Sequence, residues 1–380
     1  MARRHRFIIA GAGNIGEAAG LLLRELGDFE ADLFLGDLDL AHAKRAAGFI
    51  QGGSTKSGEI ECFAMPRDGV SPDFANALSK AEILLDCLPG QQAPRMARLA
   101  REHDLHYVNL TEYVKETEEI MEIAQGARRS FLLQTGLAPG YVNVLGLSLF
   151  QSFCRTWGVD SVDSLKMRVG ALTENARPPH YYGFTWSSIG VATEYVKPSI
   201  VVRDGQRTEA PSLSGLEKVL LGGVVYEEAL TSGGAADLPV ALTGRVKTLD
   251  YKTLRYPGHY GWVQELLEKV PAGSDPAQYL QKTMEEVIPF VEDDLVVIYA
   301  AVEGKDSRGY LRRMEKLQSI PPIRVGARTL KAIQATTAAG LAESARFLLT
   351  EAHPGGVCLQ SQIDPDHFMA GPFVAAVYHR

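Results

Sequence analysis

Residues 7–16 read FIIAGAGNIG: Phe7, Ile8, Ile9 and Ala10 run straight into Gly11-Ala12-Gly13-Asn14-Ile15-Gly16, and AAGLLLREL follows with helical apolar spacing. A short apolar strand feeding a GxGxxG that opens a helix is the pattern of a dinucleotide-binding βαβ unit. Each glycine has its own reason: Gly11 turns the chain, Gly13 lets backbone approach a pyrophosphate, and Gly16 allows the helix to pack closely on the strand. Asn14 and Ile15 open the helix, whose free N–H groups and positive dipole end suit an anion.

The next strand, 32–35, ends in Gly36-Asp37, and Asp37 lies 24 residues after Gly13, near the spacing expected for a carboxylate that binds the adenosine ribose 2′-OH. That carboxylate repels a 2′-phosphate, and Leu38 stands where an NADP enzyme often places arginine, so NAD is expected over NADP. Lys44 and Arg45 keep NADP as the less favoured coenzyme, and helix capping by Asp37 or Asp39 is the competing explanation of the acidic residues.

Further strands are expected at 61–64, 83–88, 106–110 and 131–134, with amphipathic helices between them, giving a six-stranded Rossmann-type doubly wound parallel sheet over residues 1–140. Open α/β sheets bind ligands beyond the carboxyl ends of their strands, which adds Asp68, Cys87, Leu88, Pro89, Thr111 and Pro139 to the cofactor-binding candidates.

After Gly140 a helix at 141–157 leads into longer strands joined by turns, among them 199–203 and 206–210 around Asp204-Gly205, a pair suited to a tight hairpin. A second hairpin is expected around KDSRG, between 294–302 and 309–318. The expectation is an α+β substrate and dimerisation domain with a mixed or antiparallel sheet at 141–327, while the amphipathic helix at 329–349 returns to the first domain, completed by 328–380.

Composition narrows function. The 380 residues carry 46% hydrophobic and 22% charged residues and a net charge of −7, with no basic block for nucleic acid. The apolar run at 7–10 is shorter than a signal-peptide core, and the longest run, 295–302, falls short of a membrane span, so no membrane partner is expected. Four scattered cysteines, Cys62, Cys87, Cys154 and Cys358, fit a reducing cytoplasm and no zinc site, and no other metal-ligand cluster is visible.

Four segments together resemble the saccharopine dehydrogenase family, and within it the NAD-dependent lysine 6-dehydrogenases. They are Gly136-Leu137-Ala138-Pro139-Gly140 with Asn143; Phe184-Thr185-Trp186-Ser187-Ser188; Ser232-Gly233-Gly234; and Tyr251-Lys252-Thr253-Leu254-Arg255-Tyr256-Pro257-Gly258-His259. The resemblance implies an NAD(P)-dependent oxidoreductase acting on the C–N bond of an amino acid, with oxidative deamination of the L-lysine side-chain amine as the leading activity. It also implies a homo-oligomer, a dimer as the first guess. Ala138 stands where saccharopine-forming members commonly carry aspartate, which favours the lysine branch. A saccharopine or carboxynorspermidine dehydrogenase-type enzyme, whose larger substrate needs a second carboxylate contact from an arginine such as Arg168, Arg177 or Arg245, is the nearest alternative. A non-catalytic NAD-binding sensor is the other.

Such chemistry needs an acceptor for the amine proton and a cation for the substrate carboxylate. The catalytic candidates are Lys252, His259 and His180; the substrate-binding candidates are Arg255, Trp186, Ser187, Tyr182 and Tyr113, the last beside Glu112 after the fifth strand. Strand alternation puts Lys252 and Arg255 on opposite faces, so a regular strand cannot aim both at one substrate. Lys252 is a proton relay or a strand lysine paired with Asp250; Arg255 clamps a carboxylate or stacks on an aromatic as a brace; His259 is a base or caps a helix expected at Gly261.

Overall fold

The computed structural model describes residues 3–111, 114–350 and 353–379. The chain divides into two compact units: Met1–Tyr141 with Ile323–Leu330 and Gln334–Arg380, and Val142–Pro322 with Lys331–Ile333.

The first unit is built on β1 (Arg4–Ala10), β2 (Glu30–Asp37), β3 (Ile60–Ala64), β4 (Ile83–Asp86), β5 (His106–Asn109) and β6 (Ser130–Leu132). The sheet is entirely parallel in the order β6-β5-β4-β1-β2-β3, the doubly wound order, and a seventh strand, Gly356–Cys358, adds in parallel beside β6. Six strands were expected; the seventh, Gly-Val-Cys, is half-buried and too short to give a strand pattern in the sequence. Buried on both faces, the strands read as continuous apolar runs: Ile8, Phe34, Phe63, Leu84, Tyr107 and Phe131 share one core with Phe74 and Met96 of the crossover helices. Phe63 and Phe74 stack with ring centroids 5.0 Å apart. From Gln334 onward the helix Ala332–Thr350 belongs to this unit.

The second unit holds an eight-stranded mixed sheet of β7 (Val162–Thr173), β8 (Ser199–Arg203), β9 (Gln206–Ala210), β10 (Glu217–Leu221), β11 (Val224–Leu230), β12 (Val246–Arg255), β13 (Asp294–Lys305) and β14 (Leu311–Ile320). The main path runs β10-β11-β12-β7-β13-β14; β12 and β7 are parallel, the other neighbours antiparallel. Asp204 and Gly205 both take positive φ (49° and 77°) in the β8–β9 hairpin, as its tight turn requires. Helices Ser188–Val196, His259–Leu267 and Pro276–Glu285 pack Val191, Tyr195, Tyr260, Val263, Leu280 and Met284 with Ala229 of β11. Leu172, Leu254, Val297 and Tyr299 form a separate apolar cluster.

Candidate active site

The first unit builds a cradle at the carboxyl end of β1. Gly11 has φ +97°, a conformation open to glycine, and a Cβ there would stand 3.0 Å from the Cys87 carbonyl oxygen. At Gly16 a Cβ would stand 1.9 Å from the Gly11 carbonyl oxygen, so only glycine lets the helix Asn14–Leu26 approach the turn. A Cβ on Gly13 would meet nothing within 4 Å; this is the open side of the turn, where a pyrophosphate has room. Gly13 is also the N-cap of that helix and makes no side-chain cap, leaving the first-turn N–H groups to an anion. Asp37 sits at the end of β2 with Oδ2 accepting from Ala12 N at 2.9 Å and Oδ1 from Asp39 N at 3.1 Å. The capping work falls to Asp39, which accepts from Ala41 N at 2.8 Å. These residues fit a dinucleotide: glycine backbone and helix terminus at the pyrophosphate, Asp37 at a ribose.

The next strand end carries a buried carboxylate, Asp86, absent from the sequence-derived candidates. Its Oδ2 accepts from the Tyr107 hydroxyl at 2.7 Å and its Oδ1 from Leu88 N at 3.0 Å, shaping the Cys87-Leu88-Pro89 turn. Burial pushes Asp86 up to about 6, against the pull of those two donors, and pushes the Cys87 thiol up as well.

In the second unit, a buried chain of polar groups runs from the helix Ser188–Val196 to the turn at 177–182. Arg255, 1% exposed, donates from Nη2 to Glu194 Oε1 (2.8 Å), from Nε to the Tyr195 hydroxyl (2.6 Å) and from Nη1 to the Leu254 carbonyl (3.0 Å). Its guanidinium lies 4.7 Å from the centre of the Tyr182 ring. The Tyr195 hydroxyl is also 3.0 Å from His259 Nε2, and His259 Nδ1 is 2.6 Å from the His180 carbonyl oxygen. A carbonyl only accepts, so the proton of His259 is on Nδ1; Nε2 then accepts from Tyr195, which itself accepts from Arg255. Burial, with Arg255 nearby, pushes His259 down to about 3, so the ring stays neutral. Burial pushes Glu194 up to about 7 while Arg255 pulls it down.

These contacts correct two expectations. Arg255 is buried with each guanidinium nitrogen bonded within its own unit and offers no clamp to a carboxylate. His259 is fully buried with both ring nitrogens bonded, so it is no proton acceptor for a substrate; its helix begins at His259 itself, with Gly258 as the N-cap, two residues earlier than expected. Lys252 is corrected too. Its ammonium, 5% exposed, meets Glu217 Oε2 at 2.7 Å, Glu228 Oε1 at 3.2 Å and the Gly215 carbonyl at 2.7 Å, so neither a free relay nor a partner of Asp250 is present. Asp250 is bound instead by Arg168 (2.8 Å) and Arg203 (2.9 Å), and Arg168 also meets Glu228 (2.7 Å). Arg203, Asp250, Arg168, Glu228, Lys252 and Glu217 thus form a row of six charges of alternating sign. As alternation requires, Lys252 and Arg255 lie in separate surroundings.

Residues 136–377 match the saccharopine dehydrogenase C-terminal domain, and residues 7–130 match the saccharopine dehydrogenase NADP binding domain. The chain belongs to the saccharopine dehydrogenase family. Among solved structures it is similar to an apo saccharopine dehydrogenase (L-Glu forming) from Saccharomyces cerevisiae, with TM-score 0.73 and 14% identity over 96% of each chain. It is also similar to homospermidine synthase from Legionella pneumophila in complex with NAD, with TM-score 0.65 and 13% identity over 98% of this chain and 90% of that one. At these identities the likeness is one of fold.

In this saccharopine dehydrogenase family member the resemblance segments of the second unit converge. Asn143 Nδ2 donates to the Gly234 carbonyl (3.0 Å), a Cβ on Gly234 would strike the Tyr251 ring at 2.3 Å, and Ser232 N donates to the Glu194 carbonyl (3.0 Å). Ser187 is exposed and caps the helix Ser188–Val196 by accepting from Gly190 N at 3.2 Å; Trp186 lies half-buried against Gly190. In the first unit Gly13, Asn14, Asp68 and Pro89 are exposed, Ile15, Asp37, Cys87 and Leu88 half-buried, and Gly11, Gly16, Thr111 and Pro139 buried. Glu112 and Tyr113 lie outside the described residues. Three buried polar atoms lack a hydrogen-bond partner in one short segment: His180 Nδ1, the Tyr182 hydroxyl and Thr185 Oγ1. Sequence alone gives no sign of these buried polar atoms, whose lack of partners arises from packing. Among the described residues no group of three or more His, Cys, Asp or Glu is placed to hold a metal ion, and no helix is long and apolar enough to cross a membrane.

Proposed function

We propose that this saccharopine dehydrogenase family oxidoreductase uses NAD to oxidise the C–N bond of an amino acid, with the L-lysine side-chain amine as its substrate. The observation that carries the coenzyme is the open glycine cradle with Asp37 at its rim. When bound, the nicotinamide supplies a hydride acceptor for the amine-bearing carbon. The chain must do the rest: bind the amino acid, hold its amine and take the amine proton.

Of the three histidine and lysine candidates for that proton, His180 alone keeps a free ring nitrogen. Burial holds its imidazole below the ordinary histidine range, so it is neutral near pH 7 and able to accept. The lysine reading is further supported by the arginines. Arg168 is locked in the charge row, and Arg245 donates to the Asp160 carbonyl (3.2 Å) and lies 4.7 Å over the Phe150 ring. Of Arg168, Arg177 and Arg245, the example arginines for a second carboxylate contact, Arg177 alone is left without a partner among the described residues, which suits a substrate with one carboxylate.

The test is the initial rate of NADH or NADPH appearance with L-lysine, saccharopine and a panel of other amines and amino acids. Lysine turnover with NAD is the expected result; activity confined to saccharopine overturns the substrate, and tight coenzyme binding without turnover overturns the enzyme. For the coenzyme, Asp37→Ala removes both the carboxylate and the acceptor for Ala12 N. The expected result is an NAD affinity weaker by roughly tenfold or more, the loss of a charged hydrogen bond, with NADP less affected. Equal losses for both coenzymes, read by titration, would assign Asp37 to holding the turn.

A further inference from the structure

The turn at 177–182 is pinned at three successive residues. The His180 carbonyl accepts from His259 Nδ1 (2.6 Å), the Tyr181 ring packs where a Cβ on Gly258 would stand 2.8 Å away, and the Tyr182 ring lies under the Arg255 guanidinium. Tyr181 N closes the turn on the Arg177 carbonyl at 2.8 Å, with Tyr181 at φ +46°. Arg177, at the head of this rigid turn, is exposed, and among the described residues its guanidinium has no hydrogen bond or ion pair. Later in the same segment come His180 Nδ1, the Tyr182 hydroxyl and Thr185 Oγ1, buried atoms without partners, the last two on residues 2% and 7% exposed. An exposed planar cation without a partner, at the head of a fixed turn and next in sequence to buried polar atoms without partners, is a place for the anionic end of a polar ligand to dock.

We propose that residues 177–185 are the substrate-recognition segment, with Arg177 the contact for the substrate α-carboxylate and the chain Glu194–Arg255–Tyr195–His259 the positioning scaffold that holds the segment in place. The proposal rests on the amino-acid dehydrogenase reading above. Guanidinium matches carboxylate with two parallel hydrogen bonds, and a turn already fixed loses little freedom when it binds. Arg255, the arginine that strand position alone recommended for this contact, works from behind it.

The experiment compares L-lysine with cadaverine, the same diamine chain without the carboxylate, in the full chain and in Arg177→Met. Arg177 is exposed and unpaired, so the variant is expected to melt with the parent. Its kcat/KM ratio of lysine to cadaverine is expected to fall roughly tenfold to a hundredfold, chiefly through KM for lysine, with partial recovery in Arg177→Lys. An unchanged ratio overturns the proposal. Should the parent turn over no amine, the dehydrogenase reading fails by itself. Calorimetric binding of L-lysine to parent and variant then reads the contact directly: weaker binding to the variant supports it, and equal or absent binding overturns it.

Discussion

Arg255→Met is expected to destabilise the second unit by about 3–5 kcal/mol, because it strands the buried Glu194 carboxylate without its cation and strips Tyr195 of a donor. For a unit of this size that is a fall in melting temperature of roughly 6–20 °C. Methionine keeps most of the side-chain volume, so the loss reports charge more than cavity. The double variant Arg255→Met, Glu194→Leu is expected to recover much of the stability, since a buried ion pair replaced by apolar groups of similar size is often neutral or better. Thermal and urea unfolding of the three proteins decide it. A single variant that keeps its melting temperature and loses only affinity for an amino acid would return Arg255 to the role of clamp.

His180→Gln is expected to lower kcat by about 10²–10⁴-fold, the ordinary worth of a positioned proton acceptor. Glutamine fills similar space and hydrogen-bonds, yet takes no proton. The pH profile gives the sign. A histidine held below its ordinary range is an acceptor above its pKa and is lost as pH falls through it, so the parent's kcat/KM has an acid limb lying below the range of an ordinary histidine. That limb disappears in the variant, while an alkaline rise belonging to the substrate amine remains. A variant that retains the limb and most of its rate places the base elsewhere.

Much of the fold is legible because local signals agree with it. FIIAGAGNIG encodes strand, turn and helix within a few residues, and Asp204-Gly205 specifies a hairpin whatever lies around it. Strand parity separated Lys252 from Arg255, but which side of β12 the helices cover depends on packing among distant segments, so the side chains' partners stayed hidden. Glu194 reads as an ordinary helix glutamate until Arg255 arrives from 61 residues away. Lys252 invites pairing with Asp250, two residues away on the same strand face; register with β11 and β7 instead brings Glu228 and Arg168 between them. Asp86 is likewise unremarkable in sequence, since its acidity is set by burial beside Tyr107, brought there by the pairing of β4 with β5.

The first sheet closes on a strand drawn from Gly356–Cys358, and its unit needs residues 323–330 and 334 onward as well. During synthesis these pieces leave the ribosome after the second unit. At roughly 5–20 residues per second, the 181 residues of 142–322 stand for a delay of about 10–35 s between the two halves of the dinucleotide unit. Through that interval β6, whose three residues are all buried in the finished protein, has an unpaired outer edge. A nascent chain of this protein therefore presents a chaperone with a half-built coenzyme domain before it presents a whole one, and a message truncated before the codon for Gly356 leaves that edge open for good.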